Sequence, residues 1–196
     1  MLIHCRSVPI DHLRSLYIST HAIIFFGTPH NGSEVAKWGH LLQNICNAVI
    51  PRHVVETSPQ LIDSLQSNHE VLQNINSGFS DIMSRFHIYF LHETRTTAVG
   101  HTRKLIVDES SAAPYIEGAE RMGIEADHGH MCKFENENSP GYEAVADALL
   151  RYSRDGQSRI ADRWLAEKEM RRVRAQSVAL GMMSGRYRSL LLLPPA

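Results

Sequence analysis

The sequence predicts an α/β layered domain built on a mostly parallel sheet with flanking helices. Two observations carry that reading. Short, continuous apolar runs end in polar clusters, and between them lie longer stretches with apolar residues at helical spacing. An apolar run without alternation suits a strand buried on both faces, the usual state in a parallel sheet.

Near the N-terminus, Pro9 and Asp11 open a short helix with Leu13, Leu16 and Tyr17 on one face. Ala22-Ile23-Ile24-Phe25-Phe26 is the first strand, closed by Gly27. Thr28-Pro29-His30-Asn31-Gly32-Ser33 follows as a loop, because proline and glycine do not sit inside a central strand. Residues 34–49 have Val35, Trp38, Leu41, Leu42, Ile45 and Val49 at helical spacing. A second helical region runs from Ser58 to Phe86, with Ser58-Pro59 as cap and first turn and an expected interruption at Gly78. Phe86 to Leu91 is the second strand, ending at His92-Glu93-Thr94. Lys104-Leu105-Ile106-Val107 is the expected third, ending at Asp108-Glu109-Ser110-Ser111. Residues 123–140 read mostly as loop, and Tyr142 to Tyr152 as a helix.

Beyond Asp155-Gly156 the composition shifts to Arg, Glu, Ala and Gln with few large apolar residues. The division expected is a folded domain over residues 1–153 and, over 154–196, a charged helical connector with an irregular tail. Arg159 to Arg174 suits a solvated helix or one that meets a partner. The net charge is -1, which gives no basic surplus for holding nucleic acid. Three widely spaced cysteines without a CxxC pair argue against a disulfide framework and for a reducing compartment. No apolar run is long enough for a transmembrane segment or a signal peptide.

The chemistry gathers just after the strands. Thr28–Ser33, Glu93 and Asp108–Ser111 follow the expected strands, and Asp127-His128-Gly129-His130 lies on the loop beyond them. Parallel sheets collect ligands and catalytic groups at that edge. An acid and then a histidine, each after a late strand, is the order of an α/β-hydrolase triad. There the histidine takes the serine proton and the carboxylate fixes its tautomer. Plainer readings stand beside this one. Glu93 suits an ion pair with Arg95, Asp108 and Glu109 suit a turn or cap, and His128 suits a structural loop histidine. His128, His130 and Cys132 alternate as metal ligands can, but no fourth ligand is evident, so neither metal nor cofactor is expected.

Four blocks together resemble a lipase-like α/β-hydrolase group. It includes the serine-active-site-containing protein family and the hydrolase-like N-terminal modules of fungal NACHT-type (NLR-like) receptors. Residues 23–33 are similar to its FFGTPHxGS signature, Phe90–Thr94 to its FxET strand end, Ile106–Ala112 to IVPxESA, and Asp127–Phe134 to DHxxMCKF. The blocks keep the family's order and span roughly residues 10–150. The resemblance implies the C-terminal half of a doubly wound hydrolase sheet. It makes His128 the catalytic histidine and Glu93 the acid, with Asp108 the alternative acid although relatives have proline there. Gly27, Thr28, Pro29, His30, Gly32 and Ser33 form a loop flanking the active site.

The departure from the family is the nucleophile. No G-x-S-x-G occurs in the sequence, and Ser33, Ser110 and Ser111 do not lie on a strand-to-helix elbow. The expectation is that the elbow lies ahead of Met1 and that this chain is a truncated domain, inefficient by itself. Under the enzyme reading the substrate is an ester or a lipid. The alternative is a pseudoenzyme that serves as a receptor's interaction or signalling module, with protein partners. The cytoplasm is the expected compartment, and the resemblance adds mitochondrial or endoplasmic-reticulum association.

Overall fold

The structure is a computed structural model that describes residues 1–7, 11–30, 69–99 and 101–190. The expected helix over 34–49, the cap at Ser58-Pro59, and Pro9, Gly32 and Ser33 lie outside the described residues. The chain divides into two units, Met1–Arg154 and Asp155–Ala196.

In the first unit, α1 (Leu2–Ser7) and α2 (Asp11–Ser19) precede β1 (Ala22–Phe26). Then follow α3 (His69–Met83) and β2 (His87–Glu93), and a small hairpin of β3 (Thr97–Val99) and β4 (Thr102–Lys104). A single-turn α4 (Glu109–Ala112), β5 (Glu120–Ile124) and α5 (Tyr142–Leu190) complete the order. The main sheet is parallel and three-stranded, in the order β1-β2-β5. Phe25 lies opposite Phe90, and Glu93 opposite Ile124. The protein is therefore of mixed α/β content, with helices around a parallel sheet.

β2 is central, and its composition shows it: Ile88 to Leu91 are all buried, so both faces are covered. On one face Ala22, Ile24 and Phe26 of β1 join Tyr89 and Leu91, and the first turns of α5 add Val145, Ala148 and Tyr152. On the other, Phe25 stacks on Phe90 with ring centroids 5.5 Å apart and meets Phe79 of α3 edge-on at 5.7 Å. Alternation along each strand thus sends neighbouring residues to two separate helix contacts. At the foot of the sheet, Glu120 of β5 accepts from Arg151 and Tyr152, which holds α5 to the edge strand.

The third strand is not where the sequence predicts it. Residues 105–107 form no strand, and β5, in a stretch expected to be part loop, takes that place. Ile106 and Val107 are apolar because they are buried in a turn with Ala112, under Val99. β5 has no apolar run because it ends the sheet order, leaving Arg121 and Met122 exposed. Gly78 does not interrupt α3. A Cβ there would stand 3.1 Å from Ile3 Cγ2, so the glycine admits α1 close against the helix.

The second unit is helical, formed by the continuation of α5, which runs through Gly156 without a break. Its described residues are mostly exposed, and ion pairs one turn apart run along it: Asp155–Arg159, Glu167–Arg171 and Glu169–Arg172. Such pairs support a solvated helix by a few tenths of a kcal/mol each. Among the described residues no helix is long and apolar enough to cross a membrane.

Phe90 is fully buried at the sheet's centre, whereas Tyr115 is 90% exposed. Phe90→Ala is expected to lower stability by about 3–5 kcal/mol. Tyr115→Ala is expected to change it by no more than about 0.5 kcal/mol. Urea denaturation curves with equal slopes check both.

Candidate active site

Three loops converge at the C-terminal edge of the parallel sheet. The ladder continues past the strand ends and fixes their spacing. Gly27 N–H donates to the Leu91 carbonyl at 2.7 Å, and Thr94 N–H to that of Ile124 at 3.0 Å. Arg95 N–H then donates to the Ala126 carbonyl at 3.2 Å. Gly27, Glu93 and the loop that carries His128 are thereby placed side by side.

Glu93 ends the central strand and is 1% exposed. An ionised carboxylate buried there without donors would cost several kcal/mol. Its Oε1 accepts from the Ile106 N–H and, at 2.8 Å, from the Val107 N–H. The other oxygen, Oε2, lies 3.2 Å from His128 Nδ1. The two atoms are within ion-pair distance but are not aligned as a hydrogen bond, and among the described residues neither has another hydrogen-bond partner. Arg95 is not the partner of Glu93, since it pairs with Glu125 at 2.7 Å.

His128 is held by shape as well as by its approach to Glu93. Its side chain is 12% exposed, and its ring lies against Gly27. A Cβ on Gly27 would stand 3.0 Å from His128 Cε1 and Nδ1 and equally close to Met131 Sδ. Gly27 also has φ 55, in the left-handed region that side chains avoid. Two independent constraints therefore require glycine at the exit of β1.

Asp127 shapes the loop that presents His128. Its Oδ1 accepts from Gly129 N–H at 3.0 Å and His130 N–H at 3.1 Å, and contacts His130 Nδ1 at 2.7 Å. Burial pushes its pKa up, but the His130 contacts and these two amides outweigh that and hold the carboxyl below its usual range. The pattern is an Asx turn, which Asp followed two residues later by Gly signals in sequence. His130 thus turns to Asp127 while His128 turns to Glu93, and Cys132 is exposed. The alternating residues of the metal reading are engaged separately.

The remaining predicted positions fall around this pair. Thr28 and Pro29 are half-buried in the loop after Gly27. His30 donates its N–H to the Ser111 carbonyl at 2.8 Å, and its ring meets Phe25 and Phe90 edge-on at 4.6 and 4.8 Å. Burial lowers its pKa from 6.5 to about 4, so the ring is neutral at neutral pH. Asp108 is put to a different use from Glu93. It caps α4, with Oδ1 accepting from Ser111 N–H at 3.0 Å and from the Ser110 hydroxyl. A groove of about 410 Å³ borders the histidine loop, but its lining includes Arg95, Asp127, His130 and Lys133 rather than Glu93 or His128.

What this arrangement can do is proton transfer. A carboxylate at Nδ1 favours the tautomer with hydrogen there, which leaves Nε2 basic. The sequence reading placed Gly27 in the flanking loop and Asp127 in the cluster beyond the strands, but it did not foresee their contacts around His128 or the part of Met131. Their roles depend on which loops the sheet register brings together.

Gly27→Ala is expected to cost about 1–2 kcal/mol from its left-handed backbone alone, before any clash. It should also shift the His128 ring resonances, which two-dimensional NMR reads. His30 binds protons more weakly folded than unfolded, so stability is full above about pH 6.5 and falls as the pH drops toward about 4. His30→Phe keeps a ring against Phe25 and Phe90 and should remove that part of the slope from denaturation midpoints. Compared with protein-family models, curated proteins and solved structures, the chain matches none.

Proposed function

We propose that this chain carries the acid and the base of a serine-hydrolase relay that acts on ester bonds of the lipase or esterase kind. In this reading β1, β2 and β5 are the last strands of an α/β-hydrolase sheet. The observation that carries it is the 3.2 Å approach of Glu93 Oε2 to His128 Nδ1, made at the ends of adjacent parallel strands. Glu93 fixes the ring with hydrogen on Nδ1 and stabilises the imidazolium. His128 Nε2 takes the proton of an attacking serine and returns it to the leaving alcohol. Asp108, spent on the α4 cap, stands outside the relay.

The nucleophile is the missing member. The sequence contains no G-x-S-x-G. Under this proposal the serine comes from a segment ahead of β1, and the 196 residues alone hydrolyse esters poorly. A relay acts as a unit, and loss of the nucleophile or base costs about a million-fold in a protease of the same logic. The same lack of an elbow favours a second reading, a non-catalytic interaction module of an NLR-like receptor. The exposed, charged helix beyond Arg154 has the character such a module's connector would need. The compartment proposed is the cytoplasm, with mitochondrial or endoplasmic-reticulum association as the alternative that the enzyme reading adds.

A fluorophosphonate probe separates the two. The chain as given is compared with a version extended upstream to include any G-x-S-x-G. Under the enzyme reading only the extended protein labels. His128→Ala should slow labelling by about 10⁴-fold or more, and Glu93→Gln by up to about 10⁴-fold. Labelling of the shorter chain at a serine of its own would contradict the missing-nucleophile reading. Absence of labelling in both would leave the interaction module.

A further inference from the structure

We infer that Asp108 is a positioning residue for the Glu93–His128 pair, acting through the turn it caps. The inference rests on the proposed relay and adds a support that lies outside it.

Residues 106–111 touch the site at three points. Ile106 and Val107 direct their N–H groups at Glu93 Oε1. Asp108 follows at once in extended conformation, φ -67 and ψ 154, and accepts from Ser111 N–H at 3.0 Å. Its carbonyl also accepts from Ser111 and Ala112 N–H, at 3.1 and 2.9 Å. The α4 turn closed in this way then offers the Ser111 carbonyl to His30 N–H at 2.8 Å, which secures the loop after β1. Glu109, on the same turn, pairs with Arg121 of β5 at 3.2 Å. One short segment thus holds the exits of β1 and β2 and also reaches β5 near its start, and Asp108 joins its carboxylate-binding half to its α4 half.

The direction of those amides is what matters to the pair. Glu93 can face His128 with Oε2 only while Oε1 is held on the opposite side. The peptide units of Ile106 and Val107 are oriented by where the chain goes next, and the cap decides that. A helix of one turn has little cooperativity of its own to hold the shape if the cap is lost. Ser111, Ala112 and Ala113 are buried, so the turn has no room to relax outward while they stay packed. Asp108 itself is exposed. Its packing contribution is therefore small, and its hydrogen bonds are the whole of its effect.

NMR on the full 196-residue chain tests this, with wild type beside Asp108→Ala, Asp108→Asn and Glu93→Gln. Asparagine caps as well as aspartate and is the rescue. In Asp108→Ala the Ile106 and Val107 amides should exchange about five- to tenfold faster, measured against Tyr89 and Phe90 of β2. In Asp108→Asn they should stay within about twofold of wild type. The His128 Nδ1 resonance should move in Asp108→Ala and in Glu93→Gln, and stay in place in Asp108→Asn. Wild-type exchange and an unmoved His128 signal in Asp108→Ala would overturn the proposal. So would an Asp108→Asn that behaves like the alanine variant. If Asp108→Ala does not fold, Asp108→Gly, a milder cap loss, is judged by the same two signals. A Glu93→Gln that leaves the His128 signal in place sinks the relay itself. Movement there without movement in Asp108→Ala sinks only the role of Asp108.

Discussion

The carboxylate of Glu93 is the constraint from which the rest of the site follows. It is almost wholly buried at the end of the central strand. A charge so placed is tolerable only if its oxygens are met by donors. The turn at Ile106-Val107 meets one oxygen, and the His128 ring approaches the other. Remove the carboxylate and the turn loses its reason to point two amides inward. Remove the turn and the carboxylate loses the donors that hold its first oxygen. The turn and the histidine loop thus meet at one carboxylate, through hydrogen bonds on one oxygen and close approach on the other.

That set could not form without the parallel register. Strands that run in one direction deliver all their exits to one edge, and those exits need only short loops to meet. Gly27 shows how tight the meeting is. Its missing Cβ is filled by the His128 ring on one side and the Met131 sulfur on the other. The aromatic layer beneath, with Phe25 stacked on Phe90, keeps β1 and β2 from sliding and carries the His30 ring at its rim. Packing below and hydrogen bonding above therefore support the same geometry.

How much of this was legible depended on which physics each residue obeys. β1 and β2 announce themselves because both their faces are apolar. β5 does not, because an edge strand with Arg121 and Met122 exposed satisfies its burial at Ile124 and little else. Ile106 and Val107 mislead for the opposite reason, being an apolar run that buries itself as a turn and spends its amides on a side chain. Glu93 and His128 stand out in sequence as an acid and a histidine in the loops after strands. The contact of Gly27 with His128, and the division of Asp108 from Glu93, depend on distances across the sheet. No local pattern encodes those.

The last consideration is that the pair is assembled by forces that do not involve a nucleophile. The ladder bonds, the amides on Glu93, the Asx turn at Asp127 and the glycine at the β1 exit all act within residues 27–131. None of them needs a serine beside Nε2. A hydrolase relay usually couples its members through the hydrogen bond from serine to histidine; in the proposed relay Glu93 and His128 are instead oriented from behind. Preorganisation of that kind lets a nucleophile brought by another segment meet a base already in its tautomer. It equally suits the proposed non-catalytic module, since the buried carboxylate of Glu93 calls for its partners whether or not a proton is ever moved.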